Sequence, residues 1–174
     1  MAEEPEPEPD TTPAEPSKLL VVGAEPFARE LERQAALLDW PALTTTGLDE
    51  SLAALGELGA GDAIIVMEHQ HTIANPVLLA ALQAGVGYVG ALGSRRMQAA
   101  RVRLLQEAGA THDQIAALHC PTGLDLGART PAESAVSIVA EIIATRSGRS
   151  PQPLRAYASR PTTAATGSAW AGSC

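Results

Sequence analysis

The chain has 174 residues, of which 45% are hydrophobic but only 3% aromatic, so we expect one domain with a core of Ala, Val, Leu and Ile. Its formal net charge of −8 argues against general nucleic-acid binding, and no apolar run approaches the roughly 20 residues that span a bilayer. Its two cysteines, Cys120 and Cys174, exclude a disulfide framework, and no Cys/His cluster has zinc-site spacing. We therefore expect a globular cytoplasmic protein.

Three regions of the chain differ in composition. Residues 1–17 are acidic and rich in proline, and residues 147–174 are rich in Ser, Thr, Ala and Gly. Both regions are predicted to be disordered, because they cannot bury enough apolar surface to offset the entropy lost on ordering. The folded domain is expected to span residues 18–146.

Strand and helix patterns alternate along this domain. Continuous apolar runs predict buried parallel strands at residues 18–22 and 63–67, and shorter or less regular patterns predict strands at 40–45, 88–89 and 118–120. Capping residues and N-terminal prolines predict helices between them, with starts near Pro26, Asp49 or Ser51, Asn75-Pro76, Ser94, Thr111 and Thr130-Pro131. The alternation predicts an α/β fold, a doubly wound, mostly parallel, Rossmann-like sheet of about five strands with helices on both faces.

The most informative stretch is residues 90–96, where a strand end, a glycine-rich turn and a basic helix start follow one another. Backbone N–H groups and guanidinium groups at a helix N-terminus form a site for a phosphate or another oxyanion. The residues expected to build it are Gly90, Gly93, Ser94, Arg95 and Arg96. An ordinary turn with solvated arginines is the alternative that this stretch leaves open.

The position of the turn in the predicted sheet favours the functional interpretation. In doubly wound sheets the ligand lies outside the carboxyl ends of the strands, at the point where the strand order reverses. We expect this point between the first and fourth strands, whose ends carry residues 23–28 and 90–96. The turn would then form one wall of the ligand crevice.

The loop after the first strand departs from the dinucleotide fingerprint G-x-G-x-x-G/A, since it reads G-A-E-P-F-A. Glu25 replaces the second glycine, where its charge would oppose a pyrophosphate, and no acid for the ribose follows the second strand until Asp49. Gly23, Ala24 and Glu25 remain candidate cofactor-binding residues. NAD(P) in its usual pose is disfavoured.

Two further loops at the same edge carry polar groups. His69 and His71 follow the third strand; His69 is a candidate for ligand contact, and a metal would need a third ligand such as Glu68. Polar loop residues satisfied by water are the favoured interpretation of this pair. The loop after the fifth strand is expected to wrap a ligand with its amides, and its candidates are Gly123, Asp125 and Gly127.

Three blocks of sequence match a known family. They are Y-V-G-A-L-G-S-R-R at residues 88–96, H-C-P-T-G-L-D-L-G-A at 119–128 and T-P-A-E-S-A-V-S-I-V-A-E-I-I at 130–143. On these motifs the chain resembles the C-terminal Rossmann-like domain of the XdhC/CoxI family, the xanthine dehydrogenase accessory factors. The loops after the first three strands depart from the family's usual pattern.

This resemblance implies a chaperone rather than a catalyst. Such a protein would bind molybdopterin or its dinucleotide, protect it during sulfuration, and deliver it to a molybdenum hydroxylase of the xanthine or carbon monoxide dehydrogenase type. The cofactor phosphate would be the partner of residues 90–96. Two alternatives stay open: an NAD(P)-dependent oxidoreductase of the same fold, and a ligand-free regulatory module that acts as a homodimer.

Overall fold

A computed structural model describes residues 17–153 and, at Arg95, the backbone alone. Five parallel strands form one sheet in the order β2-β1-β3-β4-β5. The strands are β1 Leu19–Val22, β2 Ala42–Thr45, β3 Ala63–Val66, β4 Tyr88–Ala91 and β5 Leu118–His119. The helices are α1 Phe27–Leu37, α2 Leu48–Leu55, α3 His71–Ala84, α4 Arg95–Glu107, α5 His112–Ala116 and α6 Pro131–Arg146. The predicted fold class is confirmed.

Helices cover both faces of the sheet, as the continuous apolar strands require. Successive strand residues point to opposite faces. One face packs Leu20, Ile64 and Val89 under α2, α3, α4 and α5. The other face packs Val21 and Ile65 under α1 and α6. The core is almost entirely aliphatic, in agreement with the low aromatic content.

The strand order corrects the predicted position of the crevice. β1 pairs with β3 on one side and with β2 on the other, whereas β4 pairs with β3 and β5. The order therefore reverses between β1 and β3, and not between the first and fourth strands. The β4–α4 turn lies one strand away from the reversal.

The start of α3 also differs from the prediction. The helix begins at His71, so Asn75 and Pro76 lie inside it rather than at its N-terminus. The carboxylate of Glu68 accepts hydrogen bonds from the N–H groups of His69 and Gln70, which shapes the turn that leads into the helix. Pro76 is the sixth residue of the helix, so its missing N–H removes the bond that would otherwise go to the Thr72 carbonyl.

Three predicted helix caps are confirmed. The Ser94 hydroxyl accepts from Met97 N at 3.4 Å at the start of α4. Thr111 and Thr130 form capping boxes at α5 and α6, each with the residue three positions on. These side chains satisfy N–H groups that have no partner within the helix.

The first described residue, Ser17, is anchored to the turn before β3. Ser17 is buried, and its hydroxyl donates to the Gly61 carbonyl at 2.5 Å. The remainder of the predicted N-terminal tail and residues 154–174, which include Cys174, lie outside the described residues. Within 17–153, no helix has the length and hydropathy needed to cross a membrane.

Candidate functional site

An open groove of about 320 Å³ lies at the carboxyl ends of β1 and β3, where the strand order reverses. We call it the switch-point groove. Its lining residues are Ala24, Glu25, Pro26, Phe27, Met67, Glu68, His69 and Leu92. This is the position at which doubly wound sheets hold their ligands, and three of the predicted site residues, Ala24, Glu25 and His69, line it.

The first loop forms one wall of the groove. Gly23 packs against the end of β3, where a Cβ would lie 3.1 Å from the Met67 Cβ, and its φ of 141° favours glycine. The carboxylate of Glu25 accepts from Arg29 Nη2 at 2.6 Å, in an ion pair whose side chains are more than half exposed. The Glu25 charge at the rim is therefore partly balanced within α1.

The segment after β3 forms the facing wall. Glu68 is bonded to the amides of its own turn, so it does not pair with Glu25 across the groove. His69 is exposed in this turn, and His71 is the first residue of α3. Across residues 17–153, no group of three or more His, Cys, Asp or Glu side chains is placed to hold a metal.

The β4–α4 turn adjoins the groove through Leu92. The Leu92 N–H donates to the Val66 carbonyl at 2.9 Å, which holds the start of the turn against the end of β3. Leu92 lines the groove, and Gly93 and Ser94 lead directly from it into α4. The helix N-terminus, with exposed Arg96 in its first turn, therefore stands beside the groove.

Gly90 lies within β4 rather than in the turn. A Cβ at this position would come within 2.6 Å of Thr122 Oγ1 and 2.8 Å of Ile65 Cδ1. The absence of a side chain is thus explained by packing between β3, β4 and the loop after β5. The structure gives Gly90 no direct access to the groove lining.

The first amides of the loop after β5 are engaged within the protein, so these groups are not free to contact a ligand. The N–H of Thr122 donates to Ala91 O, that of Gly123 to Glu141 Oε2 and that of Leu124 to Ser137 O. Asp125 is exposed. Gly127 lines a separate cavity of about 200 Å³ beside the start of α6.

A polar cluster that sequence reasoning missed joins β4, β5 and α6. The Tyr88 hydroxyl donates to Glu141 Oε2 at 2.5 Å, and the Tyr88 ring stacks on His119 with centroids 4.2 Å apart. His119 Nδ1 lies 3.2 Å from Glu141 Oε1. Glu141 lies three positions after Ile138, at the border of the buried stripe of α6, and a carboxylate at that border is the sequence signal that could have identified it.

The cluster shifts two pKa values in opposite directions. Burial, and then the Glu141 carboxylate, raise the pKa of Tyr88 far above its ordinary value. Burial also acts to raise the pKa of Glu141, but hydrogen bonds from His119, Tyr88 and the Gly123 amide outweigh it and lower that pKa. The carboxylate is thus held ionised as the fixed acceptor of three donors.

A second missed residue, Arg101, lies under the β4–α4 turn with 1% of its surface exposed. Its Nη1 donates to Leu92 O at 3.1 Å and lies 3.6 Å from Cys120 Sγ. Arg101 stands four residues after Met97 and four before Leu105, so helical spacing places it on the inner stripe of α4. Among four arginines in residues 95–103, this spacing is the distinguishing signal.

A smaller, apolar cavity of about 160 Å³ lies at the opposite ends of the strands, where β1 and β2 begin. It is lined by residues at the start of β1 and β2, including Lys18 and Pro41, and by the end of α2. This is the amino-terminal edge of the strands, where doubly wound sheets do not place their ligand crevice. The switch-point groove is therefore the better candidate site.

An all-parallel α/β sheet with a groove at its switch point defines a Rossmann-like fold. A sequence profile of the XdhC Rossmann domain matches residues 19–142. The chain belongs to this family, and the resemblance drawn from its motifs is confirmed.

Two proteins of Escherichia coli (strain K12) are similar in sequence. The molybdenum cofactor insertion chaperone PaoD is 30% identical over 126 residues, which cover 69% of this chain and 39% of PaoD. The uncharacterized protein YqeB is 40% identical over 62 residues, which cover 36% of this chain and 12% of YqeB.

The fold is shared with a solved structure. The crystal structure of a xanthine dehydrogenase from Bacillus halodurans matches with a TM-score of 0.61 and 22% identity, over 78% of this chain and 44% of that one. The chain thus spans less than half the length of PaoD, of YqeB and of the protein from Bacillus halodurans.

Proposed function

We propose that this chain binds molybdopterin or its dinucleotide in the switch-point groove and passes it to a molybdenum hydroxylase of the xanthine or carbon monoxide dehydrogenase type. The observation that carries the proposal is the continuity of the groove, through Leu92, with the N-terminus of α4. Membership of the XdhC Rossmann family and similarity to a molybdenum cofactor insertion chaperone support it.

The groove fits a ligand with a flat ring and a phosphate at one end. Its volume of about 320 Å³ is that of a small-molecule site, and Phe27, Met67 and Leu92 offer apolar surface to a ring. The phosphate would lie at the start of α4, where the helix dipole favours an anion and Arg95 and Arg96 add positive charge. Ser94 holds this helix start in place.

The charges in the groove favour this orientation over the usual pose of NAD. The carboxylates of Glu25 and Glu68 both line the groove at the β1–β3 end, where a dinucleotide would place its pyrophosphate. An anion is repelled there, whereas the α4 end is basic. The hydrogen-bond donors of a pterin ring are compatible with neighbouring carboxylates, and His69 is available at the rim.

Binding is tested by equilibrium titration of molybdopterin, followed by fluorescence under anaerobic conditions. Arg95→Ala with Arg96→Ala should weaken the affinity about tenfold or more, since each removes a charge-assisted contact to phosphate. The matched control is Arg33→Ala with Arg103→Ala, which removes the same charge from exposed ion pairs elsewhere. Equal affinity of all three proteins would contradict the assignment of the phosphate site.

The delivery role has a separate test. The cofactor-loaded protein should activate an apo molybdenum hydroxylase faster than the free cofactor does at equal concentration. Mass spectrometry of small molecules that co-purify with the chain should detect a pterin. If no cofactor co-purifies, no activation is seen, and sedimentation shows a stable homodimer, the regulatory alternative is favoured instead.

A further inference from the structure

Arg101 is a buried cation without a balancing charge. With 1% of its surface exposed, its Nε and Nη2 have no hydrogen-bond partner. Within the part of the chain that the structure describes, the ion pairs of arginine are those of Arg29, Arg33 and Arg103, so no carboxylate neutralises Arg101. Burying an unpaired guanidinium group lowers the stability of the folded protein. We therefore ask which function the charge of Arg101 could serve.

The guanidinium group is directed at the β4–α4 turn. Arg101 lies two turns into α4, and helical side chains point back toward the helix N-terminus. Its Nη1 donates to the Leu92 carbonyl at 3.1 Å, and a Cβ on Gly93 would lie 3.6 Å from this Nη1 atom. The charge therefore sits directly beneath the backbone that leads into the helix start.

We propose that Arg101 supplies the buried positive charge of the anion site at the β4–α4 turn. The inference rests on the proposed function, since it concerns the same phosphate site. Water and salt screen the exposed Arg96, but they screen a charge enclosed by protein much less. Arg101 thus attracts the anion from below the turn without touching it, and its share of the affinity persists at physiological salt.

The test is calorimetric titration of the full chain with inorganic pyrophosphate. Arg101→Met should weaken binding about tenfold, the effect expected of one opposite charge at roughly 4–6 Å. The ratio of the variant to the wild-type Kd should stay constant between ionic strengths of about 0.01 M and about 0.15 M, whereas the ratio for Arg96→Met should shrink with salt.

Two further variants separate charge from packing. Arg101→Lys keeps the charge under the turn and should bind within about threefold of the wild type. Arg103→Met removes the same unit of charge from the exposed face of α4, where Arg103 faces Glu107, and should leave the affinity unchanged. Melting curves of all variants establish that they are folded.

The outcomes distinguish this inference from the proposed function. Wild-type protein that fails to bind pyrophosphate at low salt overturns both. Wild-type protein that binds, together with an equally tight Arg101→Met variant, overturns the role of Arg101 and leaves the proposed site standing. If Arg101→Met does not fold, the inference is tested in the wild-type protein by following the NMR signal of the Arg101 Nε–H group during titration with pyrophosphate. A shift of this signal supports the inference, and an unchanged signal overturns it.

Discussion

At the scale of single residues, Glu141 is the acceptor on which a whole corner of the protein depends. Its two carboxylate oxygens contact His119, Tyr88 and the Gly123 amide, so one side chain links β4, β5 and the following loop to α6. Since these donors favour the ionised form, the pKa of Glu141 is lower in the folded protein than its ordinary value of 4.5.

This lowered pKa makes a prediction about acid stability. Above about pH 5 the wild type should be more stable to urea than Glu141→Gln, because the amide cannot accept from all three donors. As the pH falls below about 4.5, the unfolded chain takes up a proton before the folded one, so the wild type loses this advantage. Urea titrations of both proteins at several pH values measure the difference in their free energies of unfolding. A difference that stays constant down to about pH 3 would contradict the prediction.

At the scale of elements, five of the six helix starts in residues 17–153 could be predicted closely from local signals, whereas the start of α3 could not. Ser94, Thr111 and Thr130 each carry a local signal that the backbone uses directly. Asn75-Pro76 carries a similar signal, but the Glu68 carboxylate organises an earlier turn by accepting from the amides of His69 and Gln70. Which of these two signals sets the start of α3 depends on how the helix packs, and the local sequence does not contain that information.

The capping box of α6 predicts a measurable loss of stability. Thr130→Ala removes the hydroxyl that accepts from Glu133 N, and should lower the free energy of unfolding by about 1 kcal/mol. Thr145→Ala, at an exposed position in the last turn of the same helix, is the matched control and should change it little. Chemical denaturation of the three proteins checks the difference; an equal loss in both variants would mean that the cap contributes nothing.

At the scale of the whole molecule, the sequence predicted the fold class but not the strand order. Apolar runs identify each buried strand, yet they carry no information about which strand lies beside it, so the crevice was expected beside the fourth strand. The candidate site could be predicted in part for the same reason. Ala24, Glu25 and His69 follow strands that do meet at the groove. Leu92 reaches the groove only through β3–β4 pairing, and Arg101 lies beneath the turn that follows β4.

The extent of the folded unit is itself testable, and we propose that residues 1–16 and 154–174 add nothing to its stability. A fragment of residues 17–153 should have the same melting temperature as the full chain. A fragment of residues 19–153 should be about 1–3 kcal/mol less stable, because it lacks the bonds from Ser17 to Gly61 O and from Lys18 N to Asp62. Thermal denaturation followed by circular dichroism compares them, and identical melting of the two fragments would contradict this boundary.

The contacts of Glu141 also bear on the order in which the protein assembles during synthesis. β5 has only two residues, and the amide of the loop that follows it is held by a carboxylate 18 positions further along the chain. So short a strand gains little from its ladder alone. The packing of α6 on the sheet and the contacts that hold β5 can therefore form only after Glu141 has emerged from the ribosome exit tunnel.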